Sequence, residues 1–355
     1  MDIVHDIKEK INSGELMPGD KIKSENELSE EYDLSRQTVR HSIAVLQDEG
    51  FVRKVKGSGT YVTDNVISDK TNRNSIAVIT TYVDAYIFPM MIQRMEKVLS
   101  DAGYTVQIFF TNNRISREKS ILESIIEKNE VGGVIVEATK SHLPNPNEKY
   151  YEKLRKMQIP VLFINSYYEN LNVPHVSIND VQAGRIATEY LISKGHKKIG
   201  GVFKLDDGQG AKRYYGFLNA MNKENLSVTG NDIVWFDTVD IDNKENVEML
   251  YQRIKRRLSS RTALLIYNDE TAIKLIELFI KDGLRIPDDI SIIGIDDSVI
   301  YQEGTNKLTS VVFPTKELAE MAAGNLLKLI ENPKFNANYE FDLELIERDS
   351  VKNIK

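Results

Sequence analysis

Cysteine is absent from all 355 residues, which excludes disulfides, thiolate metal sites and cysteine nucleophiles. No apolar run approaches the ~20 residues of a membrane span, so no membrane partner is expected. The amino terminus, MDIVHDIKEK, is charged and has none of the apolar stretch that a secretory signal carries. These absences together lead to a cytoplasmic expectation. Catalytic signatures are missing too: there is no phosphate loop ending in Gly-Lys-Ser/Thr, no paired-histidine zinc motif and no Gly-x-Ser-x-Gly nucleophile elbow. The five histidines are scattered, and His196 sits in a helix-exit turn where capping is role enough. The run Asp206-Asp207-Gly208-Gln209-Gly210 has the glycines of a phosphate cradle but lacks its lysine and its helix-start spacing. Neither an enzyme nor a cofactor or metal is expected.

An excess of positive charge is also lacking. Lysine and arginine number 46 against 53 aspartate and glutamate, a formal net charge of -7. That balance is a weak guide to nucleic-acid binding, because phosphate contacts need only a local patch. Within residues 1–70 the cations Arg36, Arg40, His41, Arg53, Lys54 and Lys56 cluster late, while Glu25, Glu27, Glu30, Glu31 and Asp33 cluster early. The region is polarised, an arrangement that orients a protein on a duplex while keeping non-specific affinity modest. With 41% hydrophobic and 28% charged residues the chain reads as globular, and its length suggests two or three domains.

Ile3, Ile7 and Ile11 recur at helical spacing and Gly14 closes that segment. Leu16-Met17-Pro18-Gly19 reads as a turn or a short extended piece. Ser24-Glu25-Asn26-Glu27 has capping-box spacing, so a second helix is expected from near Ser24 to about Asp33. Ser35 is placed to cap a third helix from Arg36 to about Asp48. On it Val39, Ile43 and Leu46 form a narrow apolar stripe, and Arg36 and Arg40 stand one turn apart beside Gln37 and His41. Phe51–Val55, then Lys56-Gly57-Ser58-Gly59, then Thr60–Val62 read as two strands about a glycine turn. Helix, helix, short turn, helix and a basic hairpin form the layout of a winged helix-turn-helix, whose last helix enters the major groove of double-stranded DNA.

The runs Pro18–Lys21, Ser24–Leu28, Ser35–Arg40, Glu49-Gly50 and Gly57–Val62 resemble the winged-helix domain of GntR-type bacterial regulators. The resemblance implies that Arg36 and Arg40 donate to guanine edges, where a bidentate pair discriminates by ~1–3 kcal/mol. Ser35, Gln37 and Thr38 would hold phosphate at the helix start, with His41 on the same outer face. Lys56 and Gly57 at the wing tip would reach the minor groove, and Glu25 would brace one of the arginines. The family usually carries a few more residues, including an aromatic, ahead of the first helix; here no amino-terminal arm is expected to share the DNA contact. Residues 64–75, polar and short of apolar side chains, read as a linker, which divides the chain into 1–63, 64–75 and 76–355.

From Ile76 the texture changes. Candidate strands are Ile76–Thr81, Tyr104–Phe110, Gly133–Glu137, Val161–Asn165, Ile199–Phe203, Ile233–Phe236, Ala263–Asn268 and Ser291–Asp296. Amphipathic stretches such as Ile87–Ala102, Arg117–Lys128, Val181–Lys194 and Thr271–Asp282 lie between them. Such alternation predicts parallel sheet covered by helices, and the count calls for two lobes with a ligand cleft at the strands' carboxyl ends. Glu137, Asn165, Asn268-Asp269 and Asp296-Asp297 fall at those ends, with Tyr82, Tyr86, Phe88, Trp235 and Phe236 nearby. Polar groups and rings together suit a polyhydroxylated ligand, although a single strand-end Asp or Asn serves equally well as a helix cap. The tail from Tyr339 reads as a final strand and a frayed end, with no heptad repeat.

Asp180–Gly184, Ala187, Leu191, Gly195-His196, Arg213–Phe217, Tyr267–Asp269, Pro287–Ser291, Asp296-Asp297 and Leu308–Val311 resemble the LacI/GalR-type sugar-responsive cores. The two resemblances together imply an α/β protein: a two-lobed, doubly wound parallel-sheet core, like periplasmic binding proteins, behind a small N-terminal winged helix-turn-helix domain. By family pattern Arg213 donates to sugar hydroxyls, Asp296 and Asn165 accept from or bridge to them, and Phe88 and an aromatic near Phe236 flank the ring. Glu137 joins the set from its strand-end position; Tyr86, Gln209, Asn268 and Asp269 complete it. Thr80–Tyr82, Tyr86–Pro89, Ile135–Ser141 and Phe203–Gly210 resemble one group in which such a head and core are fused, the arabinose repressors of low-GC Gram-positive bacteria. That implies L-arabinose as the sugar effector and a homodimer on palindromic operator DNA. A different sugar, or a sugar-binding transport protein, is the alternative; the latter needs a secretion signal.

Overall fold

The computed structural model describes residues 3–12, 14–63, 73–84, 86–298 and 307–355. The first domain holds α1 (Ile3–Asn12), α2 (Glu25–Tyr32), α3 (Arg36–Asp48), β1 (Val52–Val55) and β2 (Gly59–Val62). Ser24 closes a complete capping box: its Oγ accepts from Glu27 N at 3.3 Å while Glu27 Oε2 accepts from Ser24 N at 2.7 Å. Asp33, at φ +51, ends α2 in the left-handed region, and Ser35 Oγ accepts from Thr38 N at 3.2 Å to start α3. Val39, Ile43 and Leu46 pack with Ile3, Ile7, Ile22, Leu28, Val52 and Val62 into a small core of their own. Gly57 and Gly59, at φ +76 and +140, make the tight wing turn that a Cβ would strain. The chain before α2 does more than turn. Ile22 N donates to Thr60 O at 3.0 Å and Val62 N to Asp20 O at 2.9 Å, adding a third, bridge-like piece to the wing.

Most of the expected linker, residues 64–72, lies outside the described residues. Its last residue does not belong to a linker: β3 (Ser75–Thr80) already starts there. With β4 (Thr105–Phe110), β5 (Val131–Val136), β6 (Val161–Ile164), β7 (His175–Ile178) and β13 (Tyr339–Phe341) it forms a six-stranded parallel sheet of order β13-β7-β6-β5-β3-β4. The second lobe repeats the plan with β8 (Ile199–Lys204), β9 (Ile233–Phe236), β10 (Ala263–Ile266), β11 (Ser291–Asp296) and β12 (Thr309–Val312), bordered by the short β14 (Leu345–Ile346). β14 runs antiparallel to β12, a departure from the all-parallel expectation. Both sheets are covered on both faces, so their inner strands are almost wholly buried and read as apolar runs, while edge strand β4 is partly exposed. Ile76 and Val78 of β3 face one helical layer, Ala77 and Ile79 the other.

Three chain crossings join the lobes. β7 feeds α7 (Asp180–Ser193), which packs on the second lobe; β12 feeds α11 (Thr315–Glu331), which returns to the first; β13 passes back to β14. Lateral hydrogen bonds tie the crossings into a hinge: Asn179 N to Phe341 O at 3.2 Å, Leu343 N to Gln182 Oε1 at 3.1 Å, Val312 N to Glu344 O at 2.8 Å. The remaining helices are α4 (Phe88–Asp101), α5 (Ile115–Lys128) and α6 (Glu148–Lys156) on the first lobe, and α8 (Gly208–Lys223), α9 (Lys244–Leu258) and α10 (Asp269–Lys281) on the second.

Helices α7 and α8 meet backbone to backbone. A Cβ at Gly184 would collide with the Arg213 carbonyl, and one at Gly216 with the Val181 carbonyl. This contact sets Asp180 of α7 beside Arg213 of α8, so it builds the cleft as well as the core. Gly216→Ala is therefore expected to lower stability by about 1–3 kcal/mol, as overpacking does, read from the urea midpoint. An unchanged midpoint would show that α8 shifts freely.

Candidate functional site

A cavity of about 230 Å³ lies between the lobes. It brings together Tyr86 and Phe88 from the start of α4, Glu137 and Asn165 from the ends of β5 and β6, Gln209 and Arg213 from α8, Asn268 from the end of β10 and Asp296 from the end of β11. Two expected residues are elsewhere. Phe236 faces α9, buried with Leu250, Tyr251 and Ile254, because strand alternation turns it away. Its ring centroid is 5.8 Å from that of Tyr267, in an edge contact, and Tyr267 is the aromatic that lines the cavity. Asp269 is a brace behind the wall, accepting from Ser310 Oγ at 2.7 Å and from Ser298 N at 3.1 Å. Gly294 makes room for it, since a Cβ there would collide with the carboxylate. Asn268 does both jobs, lining the cavity and capping α10 through Thr271 N at 3.0 Å.

Arg213, 1% exposed, anchors one end. Its Nε donates to Asp180 Oδ1 at 2.8 Å and its Nη1 to the Tyr267 carbonyl at 2.5 Å, while Nη2 lies 3.5 Å from Asp296 Oδ1. The guanidinium also sits 4.7 Å from the centre of the Tyr267 ring, a cation–π distance. Asp296 Oδ2 accepts from the Tyr86 hydroxyl across the cleft. Asp296 Oδ1, buried, has no hydrogen-bond partner among the described residues. Burial pushes the Asp296 carboxyl up to about 6, against the pull of Arg213. Asp296, Asn165 and Tyr86 have φ of +114, +64 and +60; backbone held in such conformations clusters at ligand sites.

A hydrogen-bond chain crosses the floor. Glu137 Oε2 accepts from Thr81 N at 2.8 Å, and Glu137 Oε1 from Asn165 Nδ2 at 2.7 Å. Asn165 Oδ1 accepts from Gln209 Nε2 at 2.9 Å, and Gln209 Oε1 from the Tyr267 hydroxyl at 3.3 Å. Burial raises the Glu137 carboxyl. Lys204 and Asp207 also line the cavity, paired at 2.6 Å, and were not among the expected ligands. By sequence the run beginning at Asp206 lacks the lysine and the helix-start spacing of a phosphate cradle. Lys204, at the end of β8, supplies the lysine, and Gly208 opens α8. The signal available in the sequence was a strand-end lysine two residues ahead of an aspartate pair.

Around the cavity the lobes are tied shut. Lys140 Nζ lies 3.0 Å from Asp206 Oδ2, Gly208 N donates to Ser141 Oγ at 2.9 Å, Asn113 Nδ2 to Thr238 Oγ1 at 2.6 Å, and Lys212 Nζ to the Tyr167 hydroxyl at 2.6 Å. No cluster of acidic or histidine side chains among the described residues is arranged to hold a metal.

On the winged domain Arg36, Gln37, Arg40 and His41 stand exposed on the outer face of α3, and Lys56 and Gly57 on the wing tip. Glu25 does brace an arginine: its Oε2 accepts from Arg40 Nη2 at 2.9 Å and Nε at 3.2 Å, and its Oε1 from Lys54 Nζ at 2.9 Å. Those three bonds, Arg40's pair first, hold the Glu25 carboxyl below its usual range. The bridge joins α3 to the wing through α2 and holds the Arg40 side chain. Ser35 and Thr38 spend their hydroxyls largely on each other, at 2.8 Å.

Residues 1–62 match the model of the bacterial regulatory proteins of the gntR family, and residues 188–351 that of the periplasmic binding protein-like domain. The core resembles the transcription regulator CcpA of Lactococcus lactis at a TM-score of 0.69 and 23% identity, over 79% of this chain and 100% of that one. At that identity the likeness is one of fold. The arabinose metabolism transcriptional repressor of Halalkalibacterium halodurans is 38% identical over 344 residues, 96% of this chain and 91% of that protein. The repressor of the same name from Geobacillus stearothermophilus is 37% identical over 347 residues, 97% and 95% of the two chains. With identity running through head and core alike, the chain belongs to the family of arabinose metabolism transcriptional repressors, in which a gntR-type DNA-binding head is fused to a periplasmic-binding-protein-like core.

Proposed function

We propose that this repressor binds operator DNA as a homodimer and leaves it when L-arabinose enters the cavity between its lobes. The observation that carries the reading is the buried Asp296 Oδ1, which faces Arg213 but has no hydrogen-bond partner among the described residues, in a cleft walled by both lobes. A carboxylate oxygen and a guanidinium side by side suit a sugar, whose hydroxyls both donate and accept. About 230 Å³ is below the ~300–1,000 Å³ of pockets for drug-sized ligands, and suits a monosaccharide. Phe88, Tyr82 and Tyr267 supply rings for its apolar face. The name of the two relatives supports arabinose as that sugar.

Support for the homodimer comes from one side of the core. Edge strand β4 exposes Ile108 and Phe110, 42% and 37%, and beyond β9 the second lobe exposes Val239 and Met249, 60% and 67%. The Asn113–Thr238 bond joins the two edges, so the apolar stripe runs over both lobes. A dimer held along it changes geometry when the lobes close, and the two winged helices then no longer match the operator spacing. Sugar and DNA oppose each other by the same coupling energy in either direction, ~1–3 kcal/mol. The protein works in the cytoplasm beside its DNA and has no catalytic step; among the described residues no helix is long and apolar enough to cross a membrane.

The test pairs two variants. Arg40→Ala is expected to abolish operator binding in gel-shift titration and leave sugar affinity, measured by calorimetry, untouched. Arg213→Ala is expected to hold the operator in saturating arabinose. Loss of sugar affinity in the first, or normal release in the second, would sink the division of labour. Glu25→Ala frees Arg40 and Lys54 and removes a negative charge near phosphate. Its ratio of operator to random-DNA affinity, at one salt concentration, should fall about tenfold; an unchanged ratio would mean that Glu25 does not aim Arg40.

Affinity for the sugar also depends on pH. Asp296 titrates near 6 in the free protein, facing Arg213, Tyr86, Asp180 and Glu270. A hydroxyl donating to its carboxylate favours the charged form, so binding lowers that value. Affinity therefore rises with pH through about 6 and levels off above. Between about pH 7.5 and about pH 5 the loss should be near tenfold, and a flat calorimetric profile would exclude Asp296 as the acceptor.

A further inference from the structure

The Tyr86–Asp296 contact spans the cleft in a way that affects which sugar is accepted. Tyr86 enters from the first lobe, just ahead of α4, and Asp296 closes β11 of the second. The two oxygens of the carboxylate are not equivalent. Oδ2 already accepts from the Tyr86 hydroxyl, whereas Oδ1 has no hydrogen-bond partner among the described residues. Left to itself, an aspartate can take two neighbouring ring hydroxyls, one on each oxygen. With Tyr86 already donating to Oδ2, the approach to that oxygen is narrowed and Oδ1 is the less obstructed acceptor; a second hydroxyl that misses Oδ1 meets the Arg213 guanidinium, which only donates.

We infer that the Tyr86 hydroxyl is a specificity-determining group: by donating to Asp296 Oδ2 it narrows the approach to that oxygen and steers a sugar hydroxyl to Oδ1, so that the cleft distinguishes aldopentoses differing at a single carbon. The inference rests on the reading of the cleft as a sugar site and names the residue that sets its selectivity.

Tyr86 is positioned rather than free to adapt. Its backbone holds φ +60, a conformation seldom adopted by residues with a bulky side chain. Burial first, then the nearby carboxylates, raise the phenol well above its ordinary value, so the hydroxyl stays a donor at any physiological pH. Because donor and acceptor belong to different lobes, the selection operates only when the cleft is shut. A polar site rejects an ill-matched ligand by leaving buried groups unpaired, and such rejection is steep.

The experiment is calorimetry of the full-length protein and of Tyr86→Phe with L-arabinose and its epimers at carbons 2, 3 and 4, which are L-ribose, L-lyxose and D-xylose. Phenylalanine keeps the ring and removes only the donor, and sugar-free operator binding, expected to be retained, reports an intact fold. The expected result is that the wild-type preference for L-arabinose over at least one epimer falls about tenfold in the variant, through gained affinity for that epimer. Preferences within about twofold of wild type for all three epimers, or a uniform loss for all four sugars, would overturn the role and leave Tyr86 as a lobe-to-lobe contact only. A wild-type protein that binds none of the four would overturn this inference and the sugar reading with it.

Discussion

The row Asp180–Arg213–Asp296 is the constraint on which the rest of this molecule depends. It places one guanidinium and two carboxylates in a nearly dry interior, where each lone charge carries a desolvation cost of several kcal/mol. One cation does not balance two anions. Burial raises both carboxyls against the pull of Arg213, Asp180 above its usual value and Asp296 up to about 6. Asp296 Oδ1, without a hydrogen-bond partner among the described residues, is an acceptor that a neutral molecule rich in hydroxyls suits, since it supplies donors without bringing a charge of its own.

The same row explains several features that look unrelated. Gly184 and Gly216 let α7 and α8 approach closely enough for Asp180 to reach Arg213. Gly294 and Asp269 shape the end of β11 that presents Asp296. The hinge at Asn179 lies one residue from Asp180, so the anchor of the cleft sits where the chain passes between lobes. Closure and contact across the cleft are therefore mechanically one event, which is what the proposed switch needs if a small molecule is to act on a distant DNA-reading head.

Much of this was legible in the chain. The winged helix could be read almost residue by residue, because caps, glycine turns and a three-residue apolar stripe are local signals: Ser24, Ser35 and Gly57 act within a few positions of themselves. Glu25 as a brace for an arginine was also legible, since the acidic first turn of one helix faces the basic third helix. In the core, eight of the ten expected cleft residues line the cavity, helped by the rule that parallel sheets bind at their carboxyl ends. The rule says which end of a strand, though not which way a side chain points. Phe236 was lost to strand alternation and Asp269 to its hydrogen bonds with Ser310 and Ser298. Lys204 went unnoticed because a lysine inside an apolar strand end looks like an error of pattern until Asp207 is seen beside it.

By itself the sequence determined the class of each domain, the order of elements and the chemistry available at the strand ends, since all of these rest on periodicity and on contacts within a few residues. Only the tertiary structure decided that β7, β12 and β13 hand the chain from lobe to lobe, that Tyr86 meets Asp296 across 210 positions, and that one oxygen of that carboxylate has no hydrogen-bond partner among the described residues. Contacts between residues so far apart have no period and no spacing. They are set by how two sheets close on each other, and that becomes visible only when both are built.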